Sequence, residues 1–296
     1  VSHLMRFWRR NTELTVWLIV LLMIATIAVI GPLVLADPTS QSPADRLQGP
    51  SAEHLLGTDA YGRDILSRVV NAARVSFGIA AAIAFGATVF GAVIGLASGY
   101  WQGTGNVLMR AMDALMAFPG IVLSIALVTA IGAGAFSEIV ALTVVFTPLI
   151  ARVVRSRTLA LSGRLFVTAA RASGMRGPKI LFVHVLPNAL PTVLVQGILV
   201  FAAALLLDGT LSFLGMGVQP PTPTWGNMIA EARPFLSIAP MYVIAPGLAI
   251  IVVVVTVNAI GSGLRTVVDP RARSLMRLGR RSAQRRVRDE PAVVAR

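Results

Sequence analysis

The sequence contains no cysteine, one lysine, Lys179, and three widely separated histidines, His3, His54 and His184. Without cysteine there can be no disulfide, no thiolate nucleophile and no thiolate-bound metal. No Gly-x-x-x-x-Gly-Lys-Ser/Thr run occurs, and Lys179 is followed by Ile180, so the chain has no phosphate-binding loop of its own. HExxH and GxSxG are missing too, so no catalytic site is expected. Charge is sparse: 13% of the 296 residues are charged and 55% hydrophobic, with a mean hydropathy of +0.76. That composition excludes an ordinary water-soluble domain.

The charges that are present are mostly positive, with a formal net charge of +13. They fall in clusters separated by apolar runs. This is the pattern of a membrane protein oriented by its basic loops, and it sets nucleic-acid binding aside. Leu14–Ala36 carries no charge over 23 residues, enough to cross a hydrocarbon core of about 30 Å. It is too long for a signal-peptide core, and no A-x-A site ends it. Val75–Met109 is uncharged over 35 residues, so one span is expected to end near Ser98, before the turn-forming stretch from Gly99 to Asn106. A third helix is expected from Ala114 to Phe136, with Pro119 near its start.

The fourth apolar run is short, because only 13 residues separate Glu138 from Arg152. It either spans with Glu138 at the interface and Arg152 and Arg155 snorkelling, or it is re-entrant. Val185–Leu207, ended by Asp208, and Met241–Ile260 give spans five and six. The expected class is therefore an all-α integral membrane protein with six transmembrane helices. Of the 26 basic residues, 21 lie on the side of the termini, which places both termini in the cytoplasm.

The expected organisation is a cytoplasmic N-terminus (1–13), a first helix with an external loop (14–74), a five-helix core (75–264) containing a cytoplasmic loop at 160–188, and an Arg-rich cytoplasmic tail (265–296). Arg271, Arg273, Arg277, Arg280 and Arg281 are among the tail's basic residues and suit an anionic lipid surface.

Within the loop, Ser162 could cap a short helix, and Leu165, Phe166, Ala169 and Ala172 recur at helical spacing. Gly174 stands where a left-handed residue would end it. Ala169, Ala170, Gly174, Leu186 and Pro187 match in register the EAA loop of bacterial ABC-importer permeases, which this segment resembles. Thr168 replaces the family's acidic residue, which removes an ion pair from that position.

Two other stretches sharpen the resemblance. Gly57, Thr58, Asp59, Gly62, Arg63, Asp64, Ser67 and Arg68 spell the GTDxxGRDxxSR signature of C-type permeases in dipeptide, oligopeptide and nickel importers. Ser212, Phe213, Leu214, Gly215, Gly217, Pro220, Pro221, Pro223, Trp225 and Gly226 resemble that family's SFLGxGxxPPxPxWG segment. Read physically, Asp59, Arg63, Asp64 and Arg68 alternate in sign at spacings suited to local pairing. The Pro-rich segment reads as a scaffold, with Phe213, Trp225 and Phe235 as interfacial anchors, or as a docking surface for a binding protein.

Gly91, Gly95 and Gly99 make two GxxxG steps that allow close helix contact, within this chain or with a partner. Met109, Met112 and Met116 suit core packing. Asp113 is expected to pair with Arg110, and Gln196 and Asn258 either line a pathway or tie helices together.

The resemblance implies a type I ABC-importer permease in the bacterial cytoplasmic membrane, importing dipeptides or oligopeptides, with a nickel chelate as an alternative cargo. It implies a homologous B-type permease, two ATPase subunits holding ATP and Mg, and an extracytoplasmic peptide-binding protein as partners. A secondary transporter is the rival class, but no span carries a charge near its centre.

Overall fold

The computed structural model describes residues 12–268, which form an all-helical bundle. The basic residues Arg6, Arg9 and Arg10 and the arginines from Arg271 onward lie outside the described residues. Helix α1 (Thr12–Val34) lies on the outside of the bundle against α2 (Ile65–Tyr100) and α10 (Met241–Val268). Only Leu14 and Ala28 of α1 are buried, while Leu22 and Leu33 are exposed. Exposure of leucine costs little where the solvent is lipid.

Helix α2 begins ten residues before the expected start at Val75, which therefore falls inside a continuous helix. Its start is set by Asp64, whose carboxylate accepts from the Ser67 N–H at 2.7 Å. Thirty-six residues extend about 54 Å, so α2 projects beyond the hydrocarbon at its ends. Arg68 and Arg74, taken from sequence as loop residues, lie in its first three turns.

The third expected span is not one helix. Helix α3 (Gln102–Met116) and helix α4 (Gly120–Ile131) meet at Pro119 with a bend of 91°. Proline removes a backbone donor and drives Phe118 out of the helical region, so the chain turns where a helix start had been read. Gly132, at positive φ, then closes α4, and Gly134, also at positive φ, leads into the next helix. The described residues thus hold five helices long and apolar enough to cross, or six if the bent pair counts as one.

Helix α5 (Ala135–Ser162) is a full-length rod of 28 residues rather than a short or re-entrant segment, because the helix continues through Arg152 and Arg155. It packs along α2 at the three glycines. A Cβ on Gly91, Gly95 or Gly99 would lie 2.6 Å from Ile150 Cβ, Ala151 O or Thr158 Cβ respectively. The close-contact neighbour is therefore a helix of this chain. Met109 and Met112 are buried against Ala151, whereas Met116 is 40% exposed.

Helix α6 (Leu165–Ala172), the one-turn α7 (Gly177–Ile180) and a π-helical turn (Leu181–Val185) lead into α8 (Leu186–Phe213). The wide turn falls just before Pro187, which lacks the N–H a tighter helix would use. Helix α8 does not stop at Asp208 but runs five residues further, and Asp208 and Glu138 are both buried instead of interfacial. Helix α9 (Trp225–Ala232) precedes α10, which continues past the expected end at Ile260. The core is built from Ala72, Ala80, Ile83 and Ala87 of α2, Leu142, Ile150 and Val154 of α5, Val193, Val200 and Ala204 of α8, and Val253 and Val257 of α10.

Candidate functional site: a protruding helix and a buried ionic network

At the end of the bundle where α2 finishes and α5 turns back, α6 projects as a separate two-turn helix. Ser162 does not cap it. Ser162 belongs to α5, and Arg164 takes the N-cap position with no side-chain bond. The far end follows the expected chemistry. Gly174 sits at φ +76°, its N–H donates to Arg171 O at 3.1 Å, and the Met175 N–H donates to Ala170 O at 3.2 Å. These paired bonds satisfy the last carbonyls of the helix and turn the chain sharply.

The helix divides into two faces. Val167 and Ala170 are buried against the bundle. Leu165 is 88% exposed and Phe166 41%, and Thr168, Ala169, Ala172 and Gly174 are exposed as well. An apolar face of leucine, phenylalanine and alanines is thus presented away from this chain. Behind it, the Arg171 guanidinium lies 5.9 Å from the Tyr100 ring centroid, beside a groove of about 1000 Å³ lined in part by Trp101, Leu159, Gly163 and Arg171. Leu186 and Pro187 open α8, and the His184 ring lies 6.4 Å from Phe166.

At the opposite end, the GTDxxGRDxxSR residues fold inward. Gly57 and Gly62 take positive φ, and a Cβ on Gly62 would stand 1.8 Å from Ser42 O, so only glycine fits. Asp59 accepts from Arg63 Nε at 2.5 Å and also binds Arg68. Arg63 and Arg68 then share Glu231 Oε2 of α9, at 2.8 and 2.9 Å, and the Tyr242 hydroxyl donates to the same oxygen at 2.9 Å. Two arginines and two carboxylates close a neutral, buried set that ties the 37–64 segment, α2, α9 and α10 together. Asp64 also pairs with His54 at 2.9 Å.

Glu231 and Tyr242 escaped the sequence reading. The available signal was that Glu231 is the one acid between Asp208 and Asp269. Trp225 is a second correction. It is buried, not an interfacial anchor: its indole donates to Val69 O at 2.9 Å and meets Phe77 edge-on. Ser212 is buried as well, whereas Phe213, Leu214, Gly215, Pro220 and Pro221 of that segment are exposed. Asp113 bonds Arg152 at 2.7 Å rather than Arg110. Gln196 is buried and Asn258 exposed.

Residues 87–274 match the family model described as binding-protein-dependent transport system inner membrane component. The chain belongs to that family. This permease is 40% identical over 268 residues to the dipeptide transport system permease protein DppC of Alkalihalophilus pseudofirmus, covering 90% of this chain and 88% of that one. It is 38% identical to the glutathione transport system permease protein GsiD of Pectobacterium atrosepticum, with 91% and 90% covered. A chain of the MetNI methionine ABC transporter in an inward-facing conformation superposes with a TM-score of 0.53 over 66% of this chain and 95% of its own. At 19% identity that likeness establishes the fold alone. The permease is thus an inner-membrane, multi-pass component of an ABC importer.

Proposed function

We propose that this permease forms half of the translocation pathway of an ATP-driven importer of dipeptides or oligopeptides. A homologous permease supplies the other half, separate ATPases carry ATP and Mg, and an extracytoplasmic binding protein delivers cargo. The observation that carries the reading is α6: its outward face is apolar and uncovered, while its inward face is fixed to the bundle through Val167 and Ala170. A helix so placed transmits a push from a protein docked on Leu165 and Phe166 into α5 and α8, which flank it in sequence. Peptide cargo is the reading favoured by relatives whose names specify dipeptide and glutathione transport.

The basic loops put α6 and both chain ends in the cytoplasm, and the 37–64 segment, α9 and the Pro-rich stretch outside. The four-part division of the chain follows from the same topology, with the 160–188 loop as the coupling element. In the working cycle, nucleotide-driven closure of the ATPases moves α6, and the rods α5 and α8 carry that motion to the outer end.

The test is Leu165→Asp in the complex purified from native membranes in mild detergent. Leu165 is exposed enough that the permease should fold unchanged. The expected outcome is loss of the co-purifying ATPases and of substrate-stimulated ATP hydrolysis, with the partner permease retained. A variant that keeps coupled hydrolysis at the wild-type rate, or a wild-type chain that transports without nucleotide, would sink the reading.

A further inference from the structure

Glu138 and Asp208 are buried acids with no cationic partner among the described residues. Glu138 lies in the first turn of α5 and Asp208 five residues before the end of α8, at the bundle end that carries the Asp59 network. They are 0% and 1% exposed. The contrast with Asp59, also fully buried, is direct, because Asp59 holds two arginines.

The two carboxyl groups face each other closely enough to interact, with Ser212 next to Asp208. Glu138 Oε1 and Oε2 and Asp208 Oδ1 are buried with no cationic or backbone donor on them, and the one hydroxyl beside them is that of Ser212. Ser212 and Glu138 converge on one place. Ser212 Oγ and Glu138 Oε2 lie 2.1 and 3.0 Å from the point a Cβ on Gly217 would occupy, so the missing side chain of Gly217 leaves that space to oxygen atoms. Ile139, next in sequence to Glu138, lines a groove of about 530 Å³ that also includes Asn71, Arg74 and Thr222.

No nearby element supplies the missing charge. Helix α2 carries Arg68, committed to Asp59 and Glu231, and Arg74, which is exposed. Helix α9 carries Glu231, Arg233 just after it is exposed and lies over the Phe213 ring, and α10 contributes Tyr242 at this end, already bonded to Glu231. Helix α4 and residues 214–224 contain no titratable side chain. Arg110 and Asp113 of α3 lie toward the other end, where Asp113 pairs with Arg152.

Two adjacent carboxylates removed from water, without a counter-charge, are strongly unfavourable both singly and as a pair. Oxygen atoms alone, two of them from carboxyls, are the donor set that suits a hard cation or a shared proton. We propose that Glu138, Asp208 and Ser212 form a binding site for one small cation, a proton or a hard metal ion such as Na⁺ or Ca²⁺, which clamps the adjoining ends of α5 and α8. The clamp is independent of cargo identity.

The test uses the full-length permease, assembled with its partners in lipid nanodiscs. Infrared spectra at pH 7 are compared for wild type, Glu138→Gln and Asp208→Asn, and melting temperature is followed in chelator-treated buffer with NaCl or CaCl₂ added back. If the occupant is a proton, wild type shows a protonated-carboxyl band that Glu138→Gln or Asp208→Asn removes, and melting ignores the metals. If it is a metal ion, that band is missing and one of the two salts raises melting saturably in wild type. Wild-type protein with neither the band nor a saturable metal response overturns the site, whether or not the variants fold.

Discussion

The contact between α2 and α5 can be tested by adding one methyl group. At Gly95 a Cβ would sit 2.6 Å from Ala151 O and from Val154 Cβ, and 3.0 Å from Arg155 N. Carbon atoms in ordinary contact are about 3.5–4.0 Å apart, so Gly95→Ala requires α5 to retreat by about 1 Å. Because α5 is a rod, the retreat also opens the contacts at Gly91 and Gly99. Overpacking of this kind costs about 1–3 kcal/mol, against a gain of up to about 1 kcal/mol from placing alanine in a helix. The net loss is at most about 2 kcal/mol, or up to roughly 30-fold in the folded ratio. Gly78 of the same helix is the control, because a Cβ there meets nothing within 4 Å. Thermal unfolding of the purified permease in detergent should rank Gly78→Ala at or above wild type and Gly95→Ala below it. Equal melting of the two alanine variants would refute the close seam.

Asp59→Ala leaves Arg63 and Arg68 with Glu231 as their one remaining carboxylate. The expected cost is about 3–5 kcal/mol, visible as a large fall in melting temperature or yield, and a loss under about 1 kcal/mol would contradict the network. Asp113→Asn removes an ion pair whose side chains are 54% and 58% exposed. It should change stability by less than about 1 kcal/mol, and the difference should shrink as NaCl is raised, as unfolding in a salt series would show.

How much of this was legible depended on whether the deciding interaction was local. The GxxxG spacing of Gly91, Gly95 and Gly99 announced a close contact, and Gly174 announced the end of α6, because both are properties of a few neighbouring residues. Arg63 and Glu231 are 168 residues apart, so their pairing left no mark on either segment. Charge misled in two places: Arg68 and Arg74 seemed to postpone α2, and Asp208 seemed to end α8. Hydropathy treats an ionic side chain as a boundary even where the helix continues and the charge is buried or projects beyond the bilayer. Pro119 gave the same local signal for a helix start as for the break between α3 and α4. The protruding helix was expected over Leu165 to Ser173 and runs over Leu165–Ala172, but the residues that turn inward, Val167 and Ala170, were not legible, because the direction of the bundle is a tertiary fact.

The ionic set around Arg68 also constrains the order in which the chain can mature. Arg68 stands in the first turns of α2, whereas Glu231, which completes its neutralisation, is made 163 residues later. At about 5–20 residues per second, the ribosome supplies that partner roughly 8–30 s after Arg68 emerges. During the interval Arg68 has Asp59 alone among its eventual carboxylates, and Arg63 competes for it. The first third of the chain is therefore kept waiting for the last third, and the closed network around Arg68 is a late product of biogenesis.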